Sequence, residues 1–209
     1  MRTSRSEDEF SRELAHLIKA EGISRLSVAE IAQRLRCSRR RLYKLATTKE
    51  GLLVAVAEAM FAEALQNGDS AAAAQDSAPE RVLAFLRAGS EMAATVREPF
   101  LEDVNELPVA RAAFDRYQIA RAAGLRALIE EGVRNGEFAP CNGQLIAEVA
   151  LGAALRLRRP QFLHAVGMTV QQAFDEAFGL IVNGMLKPTS GSRPPARAAQ
   201  RRTSLEVPL

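Results

Sequence analysis

The stretch LSVAEIAQRLRCSRRRLYKLATTKEGLL, residues 26–53, predicts two short helices and the tight turn that separates them. Ser27 and Glu30 have the spacing of a capping box, which begins a helix, and Ser38 is a typical N-cap for the next one. Apolar residues recur at i, i+3, i+4 and i+7 from Val28, as on the buried face of a helix. Two such helices joined by a turn at 36–38 predict a helix–turn–helix.

Three consecutive arginines fill the first turn of the second short helix. Arg39, Arg40 and Arg41 stand where the helix dipole already places partial positive charge, so each is unfavourable there by about 0.3 kcal/mol or more in the free protein. In a helix–turn–helix the second helix enters the major groove with its N-terminus towards the bases. Phosphates and guanine edges then attract these side chains. The cluster therefore indicates a DNA-facing surface, and the alternative is a merely solvated basic face.

Charge is distributed unevenly along the 209 residues. Residues 1–50 hold 12 Lys or Arg against 7 Asp or Glu, residues 51–187 hold 12 against 17, and residues 188–209 hold 4 against 1. We divide the chain at these positions into a basic helix–turn–helix domain, a helical domain and a basic tail without amphipathic period, which is predicted to be disordered. A basic N-terminal domain followed by an acidic helical domain indicates that the N-terminal domain has an anionic partner, with nucleic acid the first candidate.

The rest of the pattern, up to residue 187, is also helical. Thr47–Glu50 has the spacing of another capping box, and helices are predicted near 109–135, 142–159 and 170–186. The polar stretch 67–80 predicts a break that links two units. No strand pattern is present, so the predicted fold class is all-α, with an N-terminal helix–turn–helix domain and a C-terminal helical domain.

Several classes of protein have no support in the sequence. No apolar stretch reaches the roughly 18 residues that span a membrane, and the first ten residues lack the apolar core of a signal peptide. Cys37 and Cys141 are too few and too far apart for a disulfide framework or a metal site, so a reducing cytoplasm is the expected compartment. No catalytic cluster is visible, and we expect no enzyme activity and no cofactor. The acidic group of Glu102, Asp103 and Glu106 is expected to be a solvated face.

Nine positions in the opening stretch agree in register with one known family. They are a Ser before the first of the two short helices, an Ile-Ala pair within that helix, a Ser that opens the second short helix, a Leu-Tyr pair within it, and then Lys-Glu and Leu in the helix that follows. In this sequence they are Ser27, Ile31, Ala32, Ser38, Leu42, Tyr43, Lys49, Glu50 and Leu52. The chain in these positions resembles the tetracycline-repressor (TetR) family of bacterial regulators. EEGVRNGEF, residues 130–138, is also similar to a stretch in that family's ligand domain, so the resemblance covers residues 6–187.

The chain departs from the family pattern in and near the turn. Arg36 stands where the family often has glycine, and a left-handed backbone at that position would cost a non-glycine residue about 1–2 kcal/mol. Leu45 and Ala46 replace aromatic residues, and Arg40 and Arg41 replace small ones. The operator sequence therefore cannot be copied from a relative.

The candidate DNA-binding residues lie on the second short helix and at helix starts. Arg40 is the first choice for reading guanine, since bidentate arginine contact to O6 and N7 is the commonest specific contact. Arg39 and Arg41 could equally bind phosphate, while Tyr43 either packs in the core or reaches a phosphate with its hydroxyl. Residues at helix starts either hold phosphate or only cap the helix. The set is Ser27, Ser38, Arg39, Arg40, Arg41, Tyr43, Lys44, Thr48 and Lys49.

The family resemblance implies that the second domain binds a small effector in its middle and forms a homodimer through its last two helices. The candidate effector contacts, which are equally good core residues, are Phe85, Met92, Phe100, Phe114, Tyr117 and Leu128. Because they are mostly apolar, the expected effector is hydrophobic. The candidate dimer contacts are Leu145, Ile146, Val149, Gly152, Ala153, Val170, Phe174, Ala177, Phe178, Ile181, Gly184 and Met185.

The resulting expectation is a dimeric regulator that binds a double-stranded DNA operator, without a membrane partner, and is a repressor released by a small molecule. Two alternatives remain open at this point. One is a DNA-binding regulator without an effector, which a fully packed body would favour. The other is a helical protein–protein adaptor, whose affinity for DNA would show no steep dependence on salt.

Overall fold

A computed structural model describes residues 6–187 of the chain, and this part folds as ten α-helices with a single isolated antiparallel bridge between Phe138 and Leu186. The predicted all-α fold is confirmed. The predicted disordered tail, 188–209, lies outside the described residues. The helices are α1 (Glu7–Glu21), α2 (Val28–Arg34), α3 (Arg39–Leu45), α4 (Lys49–Ala73), α5 (Ala78–Ala94), α6 (Glu98–Glu106), α7 (Pro108–Arg134), α8 (Gly143–Leu157), α9 (Pro160–Val166) and α10 (Val170–Met185).

Side-chain caps begin the helices of the opening stretch. Ser27 and Glu30 form the predicted capping box of α2, and the hydroxyl of Ser38 accepts a hydrogen bond from the N–H of Arg41 at the start of α3. The cap of α4 lies one residue later than predicted. Thr48, not Thr47, is the N-cap and accepts from the N–H of Gly51 at 2.9 Å.

Helix α4 is longer than the sequence analysis expected. The predicted break from residue 67 is wrong, because α4 continues through Gly68 to Ala73. The alanine run at 71–74 favours helix continuation. Gly68 allows close packing, since a Cβ at this position would lie 3.1 Å from the ring of Phe85 on α5. Because α4 also runs across residue 50, the first domain boundary stays a prediction.

The buried apolar residues form two core clusters. The first joins α1–α4 to α6 and the first half of α7, and the fully buried Phe10, Ile31, Leu42 and Leu53 belong to it. The second joins α5 and the second half of α7 to α8 and α10. Helices α6 and α7 therefore connect the helix–turn–helix to the helices of the second cluster. The helices that follow α4 are called the body below.

Asp103 on α6 is buried, so the expectation of a solvated acidic face is wrong for this residue. Its carboxylate accepts hydrogen bonds from the N–H groups of Ile23 and Ser24, in the connection between α1 and α2. The neighbouring Glu102 is exposed and forms an ion pair with Arg25 at 3.0 Å. Two backbone donors stabilise the buried charge, which explains how a carboxylate is accommodated there.

Candidate nucleic-acid interface and effector cavity

The turn between α2 and α3 contains a left-handed residue. Arg36 has φ 48°, and among residues 6–187 it is the one non-glycine residue with positive φ. The N–H of Cys37 then donates to the carbonyl of Ala32 at 2.9 Å, which closes the turn. Arg36 thus adopts the left-handed conformation that costs a residue with a side chain about 1–2 kcal/mol.

Helix α3 buries one face and exposes the other. Leu42 is fully buried in the first core cluster, while Arg39, Arg40 and Lys44 are exposed. Tyr43 is 47% exposed, so its ring is not a core residue. Within residues 6–187, no carboxylate forms an ion pair with the three exposed cations. The outer face of α3 is therefore an exposed basic surface.

Arg41 points away from that surface towards α1. Its guanidinium carbon lies 4.0 Å from the centroid of the Phe10 ring, and it forms an ion pair with Glu7 at 3.4 Å. The Nε of Arg41 is buried without a hydrogen-bond partner. A cation stacked on an aromatic ring is favourable, so Arg41 fixes α3 against α1.

The residues at the helix starts are engaged with the backbone. The Nζ of Lys49 donates to the carbonyl oxygens of Ser24 at 3.4 Å and Leu26 at 3.2 Å. The hydroxyls of Ser27, Ser38 and Thr48 accept from backbone N–H groups as caps. Lys49 therefore holds the connection before α2 against the start of α4.

Two small cavities lie side by side in the body and bring together four of the candidate effector residues. A cavity of about 30 Å³ is lined by Met92, Phe114 and Tyr117, and a second of about 20 Å³ is lined by Met92, Phe100 and Phe114. The other two candidates lie elsewhere: Phe85 packs beside Gly68, and Leu128 packs on the second core cluster.

Arg121 on α7 is a lining residue that the sequence analysis missed. It is 7% exposed, and burial lowers the pKa of its guanidinium. Burial likewise raises the pKa of the Tyr117 phenol. The signal available in the sequence was spacing, because Phe114, Tyr117, Arg121 and Leu125 share one face of a helix at i, i+3, i+7 and i+11. A cation on an apolar face is unusual and marks a position to examine.

The candidate dimer residues fall into exposed, partly buried and buried groups. On α8, Leu145 and Val149 are 59% and 50% exposed. Gly152 and Gly184 are exposed, and a Cβ at either would meet no atom within 4 Å. The partly buried group is Ile146, Ala153, Val170, Ala177 and Ile181, and the group buried in the second core cluster is Phe174, Phe178 and Met185.

Leu180 on α10, which is not among the predicted dimer residues, is 74% exposed. Like Leu145 and Val149 of α8, it is an exposed apolar residue on one of the last helices of the described chain. The buried Phe174, Phe178 and Met185 cannot present their side chains to a partner without unpacking the chain's own core.

Between residues 6 and 187, no three His, Cys, Asp or Glu side chains are grouped so that they could hold a metal ion. None of the helices in that range is long and apolar enough to cross a membrane.

A short turn between two helices, a second helix with an exposed basic face and an all-helical body define a helix–turn–helix DNA-binding regulator. Residues 13–56 match the family model described as "Bacterial regulatory proteins, tetR family". The matched segment runs from α1 into α4 and contains the helix–turn–helix, so in this part the chain is similar to that family of regulators. A comparison with curated proteins found no match.

Solved structures of bacterial proteins share the fold over most of their length. A putative transcriptional regulator from Saccharomonospora viridis in complex with choline has a TM-score of 0.70 at 13% identity, covering 85% of this chain and 96% of that one. The fatty acid degradation regulator FadR from Bacillus halodurans has a TM-score of 0.68 at 14% identity, covering 86% of this chain and 100% of that one. A putative transcriptional regulator from Pseudomonas aeruginosa PAO1 has a TM-score of 0.69 at 18% identity, covering 88% of this chain and 94% of that one. At these identities the likeness concerns the fold.

Proposed function

We propose that the protein is a dimeric repressor that binds an operator through α3 and is released when a small effector binds in the helical body. The observation that carries the proposal is the exposed basic face of α3. Arg39, Arg40 and Lys44 have no carboxylate partner among residues 6–187, so their charges are available to DNA. We assign guanine reading to Arg40 and phosphate contacts to Arg39 and Lys44.

The edges of this surface supply further phosphate contacts in the proposal. Tyr43 presents an exposed hydroxyl beside the cations, and Ser27, Ser38 and Thr48 mark helix N-termini, where backbone N–H groups attract anions. Lys49 contributes positive charge there in addition to its backbone hydrogen bonds. The role of Arg41 is to hold α3 against α1.

The effector site of the proposal comprises two adjoining cavities, the first between α5, α7, α8 and α10 and the second between α4, α5, α6 and the start of α7. Their shared lining residues Met92 and Phe114 make them parts of one site, and most of the other residues around the second cavity are apolar. Each cavity has room for about one water molecule, so an effector must displace the surrounding helices to enter. That displacement is the conformational change through which the effector would act on DNA binding.

Helix α6 connects the effector site to the helix–turn–helix. Phe100 of α6 lines the second cavity, and Asp103 of the same helix binds the N–H groups of Ile23 and Ser24. Before the first turn of α6, the N–H of Arg97 also donates to the carbonyl of Lys19 on α1 at 3.0 Å. An effector that moves α6 would therefore change the position of α1 and α2. By linkage, the effector weakens DNA binding by the same factor by which DNA weakens effector binding.

The uncovered face of α8 and α10 is the dimer interface of the proposal. Leu145, Val149 and Leu180 supply apolar area, while Gly152 and Gly184 allow helices to approach closely. Two copies of α3 would then lie one helical turn of DNA apart, about 34–36 Å, or a multiple of it.

A constitutive regulator without an effector is the second candidate, and the small size of the cavities favours it. It predicts the same operator binding, with no small molecule able to weaken it. The two functions therefore differ only in their response to ligands.

Selection of bound sequences from a random double-stranded DNA library tests the proposal. We expect enrichment of a two-fold symmetric sequence, with half-sites separated by about one helical turn or a multiple of it. A triple variant, Arg39→Ala, Arg40→Ala and Lys44→Ala, is the negative control. If the parent chain enriches no sequence above that control, operator binding through α3 is wrong.

A further inference from the structure

Two arginines beside the effector cavities lack an acidic partner. Arg121 on α7 is 7% exposed, and the partly buried Arg158 lies just after α8. Neither guanidinium forms an ion pair with any carboxylate of residues 6–187. Arg81 offers a contrast, since it is also partly buried but pairs with Glu131 at 2.6 Å. The body thus buries positive charge at one place without neutralising it.

Such an arrangement is unfavourable in the free protein. Removing an unpaired charge from water costs free energy that only an opposite charge or well-placed hydrogen bonds can return. Burial lowers the pKa of both guanidinium groups, yet an arginine in a protein remains charged. The arrangement is therefore expected where a ligand supplies the missing negative charge.

A neighbouring polar group interacts with the same two guanidinium groups. The hydroxyl of Tyr117 is buried, and no hydrogen bond of ordinary geometry joins it to a described residue. The guanidinium carbon of Arg121 lies 5.8 Å from the centroid of the Tyr117 ring, so the two side chains line the same cavity. The Tyr117 hydroxyl and the Arg121 guanidinium therefore present two neighbouring donors to one acceptor group.

The fold leaves room for the buried guanidinium. Gly89 on α5 faces Arg121, and a Cβ at Gly89 would overlap the guanidinium group. A larger residue at this position would displace the charge from the cavity. The site therefore depends on a specific pairing of α5 with α7.

The second cavity provides an apolar surface next to this polar one. Met92, Phe114 and Arg158 line both cavities, and the second is otherwise bounded mainly by apolar side chains. A ligand that spans the two would place a charged group at Arg121 and an apolar group towards α6. Those apolar side chains are Met60, Phe61, Val96, Phe100, Leu101 and Val104.

We propose that Arg121 and Arg158, with the hydroxyl of Tyr117, bind the head group of an anionic effector, a carboxylate that carries an apolar body. This inference rests on the proposed function, because it names the chemical class of the effector that releases the repressor. It also refines the sequence-based expectation of a purely hydrophobic effector. A neutral ligand leaves both charges unpaired, and a cationic ligand is repelled by them.

Three ligands that each have a chain of six carbon atoms test the charge of the head group: hexanoate, hexan-1-ol and hexylammonium. Each is titrated into the full chain without DNA, and binding is measured by calorimetry and by the rise in Tm. We expect hexanoate to bind at least about tenfold more tightly than hexan-1-ol, because charge-assisted hydrogen bonds are the stronger ones. Hexylammonium should give no rise in Tm. Equal binding of hexanoate and hexan-1-ol, or no binding of hexanoate, would overturn the proposal.

Arg121→Met is the informative variant, and Arg116→Met is its matched control. Arg116 lies on the same helix but is exposed and pairs with Glu58. We expect Arg121→Met to lose the preference for hexanoate while its ligand-free Tm equals or exceeds that of the parent, since an unpaired charge is removed. The control should keep the preference. A lower ligand-free Tm with the preference intact would make Arg121 a structural residue and contradict the proposal.

Arg158→Gln provides an independent variant at a less buried position, and it should also reduce the preference for hexanoate. Measuring operator binding in the presence of each ligand then separates this inference from the proposed function. If hexan-1-ol releases DNA as effectively as hexanoate, effector control stands and the anionic head group is wrong. If hexanoate binds with the expected preference but does not release DNA, the head-group site stands and effector-controlled release is wrong.

Discussion

Arg36 and Arg41 show how individual side chains of the turn and α3 depart from a simple basic surface. Arg36 adopts φ 48°, a conformation that a glycine adopts without strain, and Arg41 stacks on Phe10 at 4.0 Å. One cation therefore strains the turn and the other supports it. Of the three arginines that begin α3, two belong to the proposed DNA contact.

Replacing Arg36 by glycine should stabilise the protein. The left-handed backbone costs a non-glycine residue about 1–2 kcal/mol, and the greater freedom of glycine in the unfolded chain offsets part of the gain. We expect an increase of up to about 1 kcal/mol in the free energy of unfolding, measured by urea denaturation. Arg36→Ala is the control, because it removes the charge but keeps the strain. A gain in the alanine variant as large as in the glycine variant would show that charge, not backbone strain, limits stability.

Replacing Arg40 by alanine should relax specificity at one base position. Loss of a bidentate contact to guanine costs about 1–3 kcal/mol at that position and leaves the other positions unchanged. Lys49→Ala should instead weaken binding to all sequences alike. Its loss also removes hydrogen bonds to Ser24 and Leu26, so a moderate decrease in stability is expected as well. Titration of both variants against a panel of single-base operator changes distinguishes the two patterns, and identical patterns would refute the assignment of Arg40.

At the scale of the elements, α6 contacts both the effector site and the helix–turn–helix. It lines the second cavity through Phe100 and holds the connection between α1 and α2 through Asp103. Gly22 makes this approach possible. It has φ 73°, and a Cβ there would lie 2.9 Å from the carbonyl oxygen of Pro99 and within contact of the Asp103 carboxylate.

Replacing Asp103 by asparagine should destabilise the helix–turn–helix. The amide oxygen can still accept, but the charge-assisted bonds to Ile23 and Ser24 are lost and an NH₂ group is buried. We expect a loss of about 1–3 kcal/mol in the free energy of unfolding, with faster hydrogen exchange at the N–H groups of Ile23 and Ser24. Glu102→Gln, which removes an exposed ion pair with Arg25, should cost less than about 1 kcal/mol. Equal effects of the two variants would remove the reason for assigning α6 a connecting role.

Particular elements show which features could be predicted from the sequence. The caps Ser27 and Ser38 and the all-α class follow from local patterns, and these predictions are confirmed because neighbours in sequence determine them. The burial of Asp103 and Arg121 depends on helices far away in sequence, which no local pattern records. The predicted break at residue 67 was wrong for a related reason. Packing of Gly68 against Phe85 and the alanines that follow continue α4 where polar residues suggested a loop.

At the scale of the whole molecule, the proposal depends on two surfaces at different places in the chain. One is the basic face of α3, and the other is the uncovered apolar face of α8 and α10. A single exposed apolar residue is unremarkable, whereas several on two helices that pack together, α8 and α10, support the proposed interface. Symmetric dimers would place the two α3 helices against successive major grooves.

Val149→Glu should prevent dimerisation. A charge at this half-exposed position of α8 would be buried without a partner in the proposed interface. We expect a monomer by light scattering at concentrations where the parent is a dimer, together with weaker operator binding. Val109→Glu is the control, since Val109 is equally exposed but lies at the start of α7. A dimeric Val149→Glu variant, or a monomeric control, would place the interface elsewhere.

The dependence of operator affinity on salt tests most directly the claim that α3 binds DNA. Each phosphate neutralised by the protein contributes about −0.9 to the slope of log K against log salt, so a dimer with roughly six contacts should lose about a thousandfold in affinity between 50 and 200 mM salt. We predict this steep slope for the parent and a clearly shallower one for a variant with Arg39→Ala and Lys44→Ala. An affinity that does not change with salt, or the same slope for parent and variant, would contradict the account.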